Sequence, residues 1–412
     1  MATADNRGTR DAAPAPGSLE GLRASNRARV IAVLREPGTL TRAEVARRTG
    51  LSRSTVSTVV ADLIDAGIVR EGDEPLPGAG AGRPGMPLRL DATAGAALGI
   101  SLQHDGVHAI VTDLAHRVLA EHEVAAPLER MGADDVARRA ADAARAALDA
   151  AGVPAGRLVG TAASVPSPVD PASGVLGAES VIPSIAGRDI AGPLSALLGT
   201  GVRAENDTNL CVLAEHIWGA RPGHRDMLYL KLSRGIGAGL LLGGAIYRGA
   251  HGGAGELGHT PIVPEGPPCR CGNRGCLETV AGTGPLVEQV AVRLGEGPRT
   301  VGAVVELALA GDTVCRRALR DVGSLVGTAL ASTVNLLNPD LLVIGGEMGA
   351  AFTFLEGPIR EAMDRAAIHR SAEDAIIVPG SLGRRAEALG AVALVLRESA
   401  DVTLAGAAPP RG

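Results

Sequence analysis

The hydrophobic and polar positions near the N-terminus predict three short helices. Over residues 27–35 apolar residues recur at helical spacing, and a Pro-Gly pair ends the segment. Thr41 and Glu44 have capping-box spacing at the start of a second helix, which Gly50 ends. In a third helix, over residues 52–67, the apolar positions follow the spacing of one buried face: Val56, Val59, Val60, Leu63 and Ile64.

A helix, a tight turn and a further helix form a helix-turn-helix, and two short strands at residues 68–70 and 87–90 around a Gly-rich loop predict a wing. Opposite its apolar face, the third helix begins with short hydroxyls and an arginine, which suit base edges and phosphates. The candidate DNA-contacting residues are Arg42, Ser52, Arg53, Ser54, Thr55, Ser57, Thr58 and, at the tip of the wing, Arg83. The alternative is a small three-helix packing domain with a solvated basic face.

The distribution of charge along the chain favours a nucleic-acid partner for residues 21–70 and not for the rest of the chain. Residues 21–70 hold nine arginines against four acidic residues, whereas the whole chain has a formal net charge of −5. Aromatic residues make up 1% of the chain, which leaves few platforms for stacking the bases of single strands. We therefore expect double-stranded DNA as the partner of this basic N-terminal segment, which we call the head.

From about residue 95 the pattern changes to strands followed by helices, and this order occurs twice. Strands are predicted at 97–102, 107–113, 118–124, 158–164, 227–233, 238–242 and 341–344, with an Ala-rich helix at 134–151. This order predicts an α/β body of two similar lobes with a cleft between them. The predicted segments are a disordered tail at 1–20, the winged helix-turn-helix at 21–92, lobes at 93–207 and 208–400, and a disordered tail at 401–412.

The sequence argues against a membrane or secreted protein. No stretch approaches the ~18 consecutive apolar residues of a membrane span, and the polar N-terminus lacks the apolar core of a signal peptide. We therefore expect a cytoplasmic protein. In that reducing compartment, clustered cysteines favour a metal site over a disulfide.

Three of the five cysteines fall within eight residues of a Gly/Pro-rich loop, and a histidine lies ten residues upstream. Three thiolates and an imidazole are a closed tetrahedral ligand set for structural zinc, here His259, Cys269, Cys271 and Cys276. A Cys-x-Cys pair in a Gly-rich turn without metal is the alternative. Cys211 and Cys315 stand alone and are expected to be core thiols.

The segment Gly253–His259, followed by Cys-Arg-Cys-Gly-Asn-Arg-Gly-Cys-Leu-Glu278, resembles the signature of the ROK family of repressors, open reading frames and sugar kinases. Glu205-Asn206-Asp207 is similar to the sugar and catalytic segment of that family, and Asn338-Pro339-Asp340 with Gly345-Gly346 to its adenosine loop. The resemblance covers about residues 95–398. The head over 22–92 resembles the extension that the repressor branch carries.

This resemblance implies an actin/hexokinase-like (ribonuclease H-like) α/β body of two lobes behind an N-terminal all-α winged helix-turn-helix. It implies zinc at the His/Cys cluster. It also implies sugar contacts from Asn206, Asp207, Glu256, His259 and Glu278.

The phosphate-binding turns depart from those of the family's kinases. Where a kinase has an Asp-x-Gly-Gly-Thr-like turn, this chain has Ser101-Leu102-Gln103-His104-Asp105, and where it has Gly-Thr-Gly-Ile-Gly, this chain has Ser233-Arg234-Gly235-Ile236-Gly237. Asp207 keeps the position of the base that takes the proton of the sugar hydroxyl. We expect no catalytic residue, and Asp207 is a vestigial base.

The expected function is a sugar-responsive repressor of carbohydrate genes. It binds a pseudo-palindromic operator as a homodimer or tetramer, and a sugar or sugar phosphate shifts the DNA-binding equilibrium by closing the lobes. One alternative is an active ATP-dependent sugar kinase with a DNA-binding head. Another is a repressor whose pocket binds a protein or nothing.

Overall fold

A computed structural model of the chain describes residues 19–35, 38–72, 85–295 and 297–398. The described chain divides into two compact units. The first holds the described residues up to Ala96, with Asp113–Arg117 and the end of the last helix from Leu396. The second holds residues 97–112 and 118–395.

The first unit contains the three predicted helices, α1 (Leu19–Arg35), α2 (Arg42–Thr49) and α3 (Arg53–Asp65). Thr41 caps α2 by accepting the N–H of Glu44 at 3.3 Å, and Gly50 ends it in the left-handed region at φ 69°. Ser52 caps α3 by accepting the N–H of Thr55 at 3.1 Å. The helix-turn-helix prediction is therefore confirmed, although α1 begins earlier than the apolar pattern predicted.

The same unit contains a small antiparallel sheet in the order β1–β3–β2, formed by β1 (Leu40–Thr41), β2 (Val69–Glu71) and β3 (Pro87–Leu90). The two predicted wing strands are present. The sequence missed β1, because a two-residue strand is too short to show an alternating pattern. The loop between β2 and β3, including Arg83, lies outside the described residues.

The apolar stripe of α3 faces the core of this unit. Val56, Val60 and Leu63 are buried, while Val59 and Ile64 are half-buried. Arg35, at the end of α1, donates from Nε to the carbonyl of Leu114 at 2.9 Å and from Nη2 to that of Leu396 at 3.3 Å. These bonds hold α1 in place within the first unit.

The second unit is built on two five-stranded sheets. The first has the order β6–β5–β4–β7–β8 and contains β4 (Ala96–Gln103), β5 (Gly106–Asp113), β6 (Val118–Ala125), β7 (Leu158–Val165) and β8 (Val202–Asn206). The helices of this part are α4 (Ala133–Ala151), α5 (Ala191–Leu198) and α6 (Asp207–Trp218).

The second sheet has the order β11–β10–β9–β12–β13 and contains β9 (Met227–Leu232), β10 (Ile236–Leu242), β11 (Ala245–Ile246), β12 (Leu341–Gly345) and β13 (Ile376–Pro379). Its helices are α7 (Leu277–Ala281), α8 (Thr283–Leu294), α9 (Val301–Leu309), α10 (Thr313–Leu337), α11 (Phe352–Ala366), α12 (His369–Asp374) and α13 (Ala386–Glu398).

The two sheets repeat one topology. In each, the first three strands lie in reverse chain order, and the fourth and fifth strands extend the sheet beyond the first strand. The outer pairs β5–β6 and β10–β11 are antiparallel, and the outer pairs β7–β8 and β12–β13 at the other edges are parallel. This repeat confirms the prediction of an α/β body with two similar halves.

The last helix packs closely against two earlier elements of the second unit. A Cβ at Gly390 of α13 would lie 2.0 Å from the carbonyl oxygen of Leu210 in α6. A Cβ at Gly99 of β4 would lie 2.1 Å from the carbonyl oxygen of Ala388. Small residues at both positions therefore let α13 approach β4 and α6.

Among the described helices, none is long and apolar enough to cross a lipid bilayer.

We predict that Gly390→Ala lowers the free energy of unfolding by about 1–3 kcal/mol, because the new methyl group meets backbone and not a flexible side chain. The control is Gly302→Ala in α9, where a Cβ meets only the Thr300 hydroxyl at 3.9 Å. There the free energy of unfolding stays the same or rises by at most about 1 kcal/mol. Urea unfolding followed by circular dichroism measures both, and equal stability of the two variants would contradict the packing of α13.

Candidate functional site

A cavity of about 480 Å³ lies in the second unit. Residues that follow β7 and β8 line it from the first sheet, and β9 with the turns after β9 and β12 line it from the second. Its volume suits a small molecule. Most of its polar side chains are held by hydrogen bonds to neighbouring residues.

Asn206, which was predicted to contact sugar, lines the cavity at the start of α6. Its Oδ1 caps α6 by accepting the N–H groups of Thr208 at 3.0 Å and Asn209 at 3.1 Å. Its Nδ2 donates to the carbonyl of Ser167 at 3.1 Å. The side chain is therefore fixed before any ligand binds.

Asp207 forms the centre of a buried charge cluster with two residues that the sequence analysis did not single out. The ammonium of Lys231 on β9 lies 2.7 Å from Asp207 Oδ2 and 2.5 Å from Glu387 Oε1 in the first turn of α13. Both carboxylates are buried, and the Lys231 side chain is 16% exposed, so it reaches the cavity. We call these three residues the Asp207–Lys231–Glu387 triad.

The triad stabilises the ammonium form of Lys231. Burial opposes the charged form of Lys231, but the carboxylates of Asp207 and Glu387 outweigh it and raise the pKa of Lys231 well above its usual range. Burial also raises the pKa of Asp207, an effect that the Lys231 ammonium opposes and the Glu387 side chain reinforces.

Two residues of the segment that the family resemblance places at the first phosphate turn extend this cluster. Ser101 Oγ donates to Glu387 Oε2 at 2.5 Å, and Gln103 Nε2 donates to Ser101 Oγ at 3.2 Å. Gln103 also donates to the carbonyl of Arg384 at 3.3 Å. The substitutions that separate this chain from the kinase turn thus support Glu387.

Glu256 and His259 line the cavity as predicted, but Glu278 is not among the described lining residues. Glu278 Oε2 instead accepts from Arg270 Nη2 at 2.7 Å and from the N–H of Ile236 at 3.3 Å. Arg270 therefore faces the cavity with Glu278 behind it. Burial, with help from the Asp207 carboxylate, raises the pKa of Glu256 to about 7.

The four predicted metal ligands converge. One ligand atom from each of His259, Cys269, Cys271 and Cys276 lies within 4.8 Å of the others, so the cluster could hold a metal ion. Cys269 Sγ lies 3.3 Å from His259 Nδ1, and Cys271 Sγ lies 3.7 Å from Cys276 Sγ. Ligand atoms around tetrahedral zinc stand about 3.3–3.8 Å apart, so the donor set and its spacing fit zinc.

The local backbone explains why this loop needs glycine. Gly275 has φ 62°, and a Cβ there would lie 1.7 Å from the carbonyl oxygen of Val263. The imidazole of His259 connects the cluster to the cavity, because Nδ1 faces Cys269 while Nε2 lies 3.7 Å from Glu256 Oε2. The loop thereby positions a cavity-lining imidazole.

The candidate DNA-contacting residues lie at the start of α3 in the first unit. Ser52, Arg53, Ser54, Ser57 and Thr58 are exposed, and Thr55 is half-buried. Some hydroxyls already have partners, because Ser52 Oγ caps the helix and Thr58 Oγ1 donates to the carbonyl of Ser54 at 3.2 Å. Arg53 and Ser57 are the exposed side chains best placed to reach a groove.

Arg42 has a structural partner. Its guanidinium forms an ion pair with Glu71 of β2, which joins α2 to the small sheet. Arg83 cannot be placed, since it lies outside the described residues.

The sequence carried one signal for the residues that were missed. Lys231 is the single lysine among the 40 lysine and arginine residues of the chain. Glu387 had no such signal, because it lies 156 residues from Lys231 and only the fold brings the two together.

Comparisons with known proteins agree with both units. The sequence profile of the ROK family matches residues 97–398, and that of the MarR family matches residues 25–78. The N-acetylglucosamine repressor of Escherichia coli O6:H1 is 27% identical over 391 residues, which cover 92% of this chain and 94% of that repressor.

Solved structures show the same fold. A ROK family transcriptional regulator, a homologue of the Escherichia coli MLC protein, superposes with a TM-score of 0.78 at 24% identity, over 92% of this chain and 97% of that one. The ROK hexokinase of Thermus thermophilus superposes with a TM-score of 0.59 at 34% identity, over 72% of this chain and 97% of that one. Since the family profile spans most of the chain, the protein belongs to the ROK family.

Proposed function

We propose that this protein is a sugar-responsive transcriptional repressor whose body binds a sugar without phosphorylating it. The observation that carries the proposal is the pairing of Asp207 with Lys231 in a chain that also has a helix-turn-helix. A catalytic base must be free to accept the proton of the attacking hydroxyl. An aspartate bound to an ammonium serves better as a fixed hydrogen-bond acceptor.

The head supports the DNA-binding half of the proposal. The exposed Arg53 and the hydroxyls at the start of α3 can contact base edges and phosphates in a major groove. Helix-turn-helix dimers read two half-sites about one helical turn or a multiple of it apart. We therefore propose a homodimer, or a tetramer made of two such dimers, on a pseudo-palindromic operator in the cytoplasm.

The cavity supports the sugar-binding half. Asn206, Asp207, Glu256 and His259 offer hydrogen-bonding groups with fixed geometry, and Glu278 acts through Arg270. A site of this kind discriminates strongly among sugars, because a missing hydroxyl leaves a buried acceptor without a partner. The repressor named for N-acetylglucosamine supports a carbohydrate as effector class.

The His/Cys cluster supports a structural zinc held by His259 Nδ1 and the thiolates of Cys269, Cys271 and Cys276. Zinc in a closed four-ligand site supplies folding energy and no chemistry. Its role here is to order the loop that carries Glu256, His259 and Arg270.

An active sugar kinase is the second candidate, favoured by the 34% identity to the hexokinase and by the retained Asp207. It predicts sugar-dependent release of ADP from ATP. The repressor proposal predicts ADP release no faster with glucose, N-acetylglucosamine or xylose than without sugar, measured by a coupled assay.

The direct test is a gel shift on the DNA upstream of the protein's own gene, repeated with hexoses, pentoses, amino sugars and their phosphates. We predict a specific shift that one sugar releases or strengthens. Arg53→Ala should weaken the specific shift about tenfold or more, since a good base contact is worth ~1–3 kcal/mol. The control Arg320→Ala removes an exposed arginine of α10 and should bind DNA like the native chain.

A specific shift that no sugar or sugar phosphate alters would contradict the sensor half of this proposal. Equal DNA binding by the Arg53→Ala and Arg320→Ala variants would contradict the assignment of α3 as the recognition helix.

We predict that Cys271→Ser removes the bound zinc and weakens the sugar response with it, because one of four ligands is lost. Cys315→Ser is the matched control, since that thiol lies buried in α10 away from the cluster. Elemental analysis of the purified proteins gives the metal content, and the gel shift gives the response. A Cys271→Ser protein without zinc that still responds fully to sugar would show that the metal is not needed to order the loop.

A further inference from the structure

In a kinase with Asp207 as the base, a phosphoryl group would meet the sugar in the part of the cavity around Asp207. We call it the inner compartment and define it by the lining residues Asp207, Lys231, Ser233, Gly346 and Glu387. Pairing of β9 with β12 sets Lys231 opposite Gly345, so the triad lies beside the turn that follows β12. A phosphate next to Asp207 would have to occupy this compartment.

The turn that follows β12 has few free backbone N–H groups that could bind an anion. Phosphate-binding turns present free N–H groups that point at the ligand. Here the N–H of Gly346 donates to Tyr229 Oη at 3.3 Å, and the N–H of Glu347 donates to Ser233 Oγ at 3.0 Å. Side chains of this chain thus take the two donors that a phosphate would need.

The arginines that line the cavity nearby are also engaged. Arg234 forms an ion pair with Glu129. Arg384 lies 3.1 Å from Asp105 Oδ2 and 2.9 Å from Glu123 Oε1. Each of these guanidiniums would have to leave a carboxylate before it could bind a phosphate.

Arg270, which also faces the cavity, is paired with Glu278 at 2.7 Å. Lys231 is then the remaining lysine or arginine among the described lining residues, and its release is unfavourable. Asp207 and Glu387 are only 6% and 5% exposed. Moving the ammonium onto a phosphate would leave two buried carboxylates without a counter-ion, which is strongly unfavourable. With the ammonium in place between two carboxyl groups, the triad leaves no uncompensated positive charge for an approaching phosphate.

We propose that the Asp207–Lys231–Glu387 triad makes the cavity selective for sugars that carry no phosphate. Lys231 is a positioning residue that holds Asp207 as an acceptor for a sugar hydroxyl, and Glu387 pairs with the ammonium that a phosphate would otherwise bind. This inference rests on the proposed function and names the effector class: a free sugar, as opposed to a sugar phosphate.

The test is isothermal titration calorimetry of the full zinc-loaded chain with matched pairs. The probes are glucose with glucose 6-phosphate and N-acetylglucosamine with N-acetylglucosamine 6-phosphate, together with xylose and inorganic phosphate. We expect any free sugar that binds to do so about 100-fold more tightly than its phosphate, and inorganic phosphate not to bind.

The outcomes separate this inference from the proposed function. A sugar phosphate that binds as tightly as its parent sugar, and that alters the operator shift, would overturn the inference and leave the repressor proposal intact. A chain that binds neither free sugars nor their phosphates would overturn the proposed function and the inference with it.

A charge-removing variant tests the triad itself. Glu387→Gln keeps the shape of the side chain but removes one of the two carboxyl partners of Lys231, so the preference for free sugar over its phosphate should shrink about tenfold. Glu361→Gln on α11 is the matched control at an exposed ion pair with Arg320, and its preference should equal that of the native chain. The same preference in the Glu387→Gln and native proteins would overturn the role of the triad.

The single lysine supplies a readout that does not depend on ligand affinity. In the native protein, an amine-acylating reagent should modify the N-terminal amine many times faster than Lys231, because that ammonium is paired twice. Peptide mass spectrometry separates the two sites. Acylation of Lys231 at the rate of an exposed amine would show that the ion pairs do not hold and would overturn the proposal.

Discussion

One buried ammonium holds the cavity together. Lys231 on β9 of the second sheet bridges Asp207, which follows β8 of the first sheet, and Glu387, which begins α13. Removing one partner from such a buried cluster costs about 3–5 kcal/mol, because the remaining charges lose their compensation. The cavity owes its inner shape to these ion pairs.

The triad fits the proposal that a kinase-like body serves as a receptor. The chain shares the fold of the hexokinase and has Asp207, which the family resemblance places at the position of the base. Near Asp207, the side chains of Ser101 and Gln103 support Glu387 through hydrogen bonds. The side chains of Tyr229 and Ser233 accept the two backbone N–H groups that follow β12. Function therefore resides in the side chains of the site and not in the fold.

Local features of the fold could be predicted from sequence because each depends on a few neighbouring residues. The caps at Thr41 and Ser52 are set by hydrogen bonds across three residues. The His/Cys cluster was visible because three of its ligands lie within eight residues. Neither Glu387 nor the position of Glu278 behind Arg270 could be found in this way, since both depend on contacts made by the folded chain.

In the proposed repressor, one chain couples a bound sugar to operator binding, and thermodynamic linkage gives a direct test of that coupling. If a sugar changes the affinity for DNA by some factor, DNA must change the affinity for that sugar by the same factor. The measurement is calorimetric titration of the active sugar into the full chain, alone and saturated with the operator fragment. We predict that the dissociation constants for sugar differ by the factor seen in the DNA titration. Equal dissociation constants with and without DNA would contradict the account.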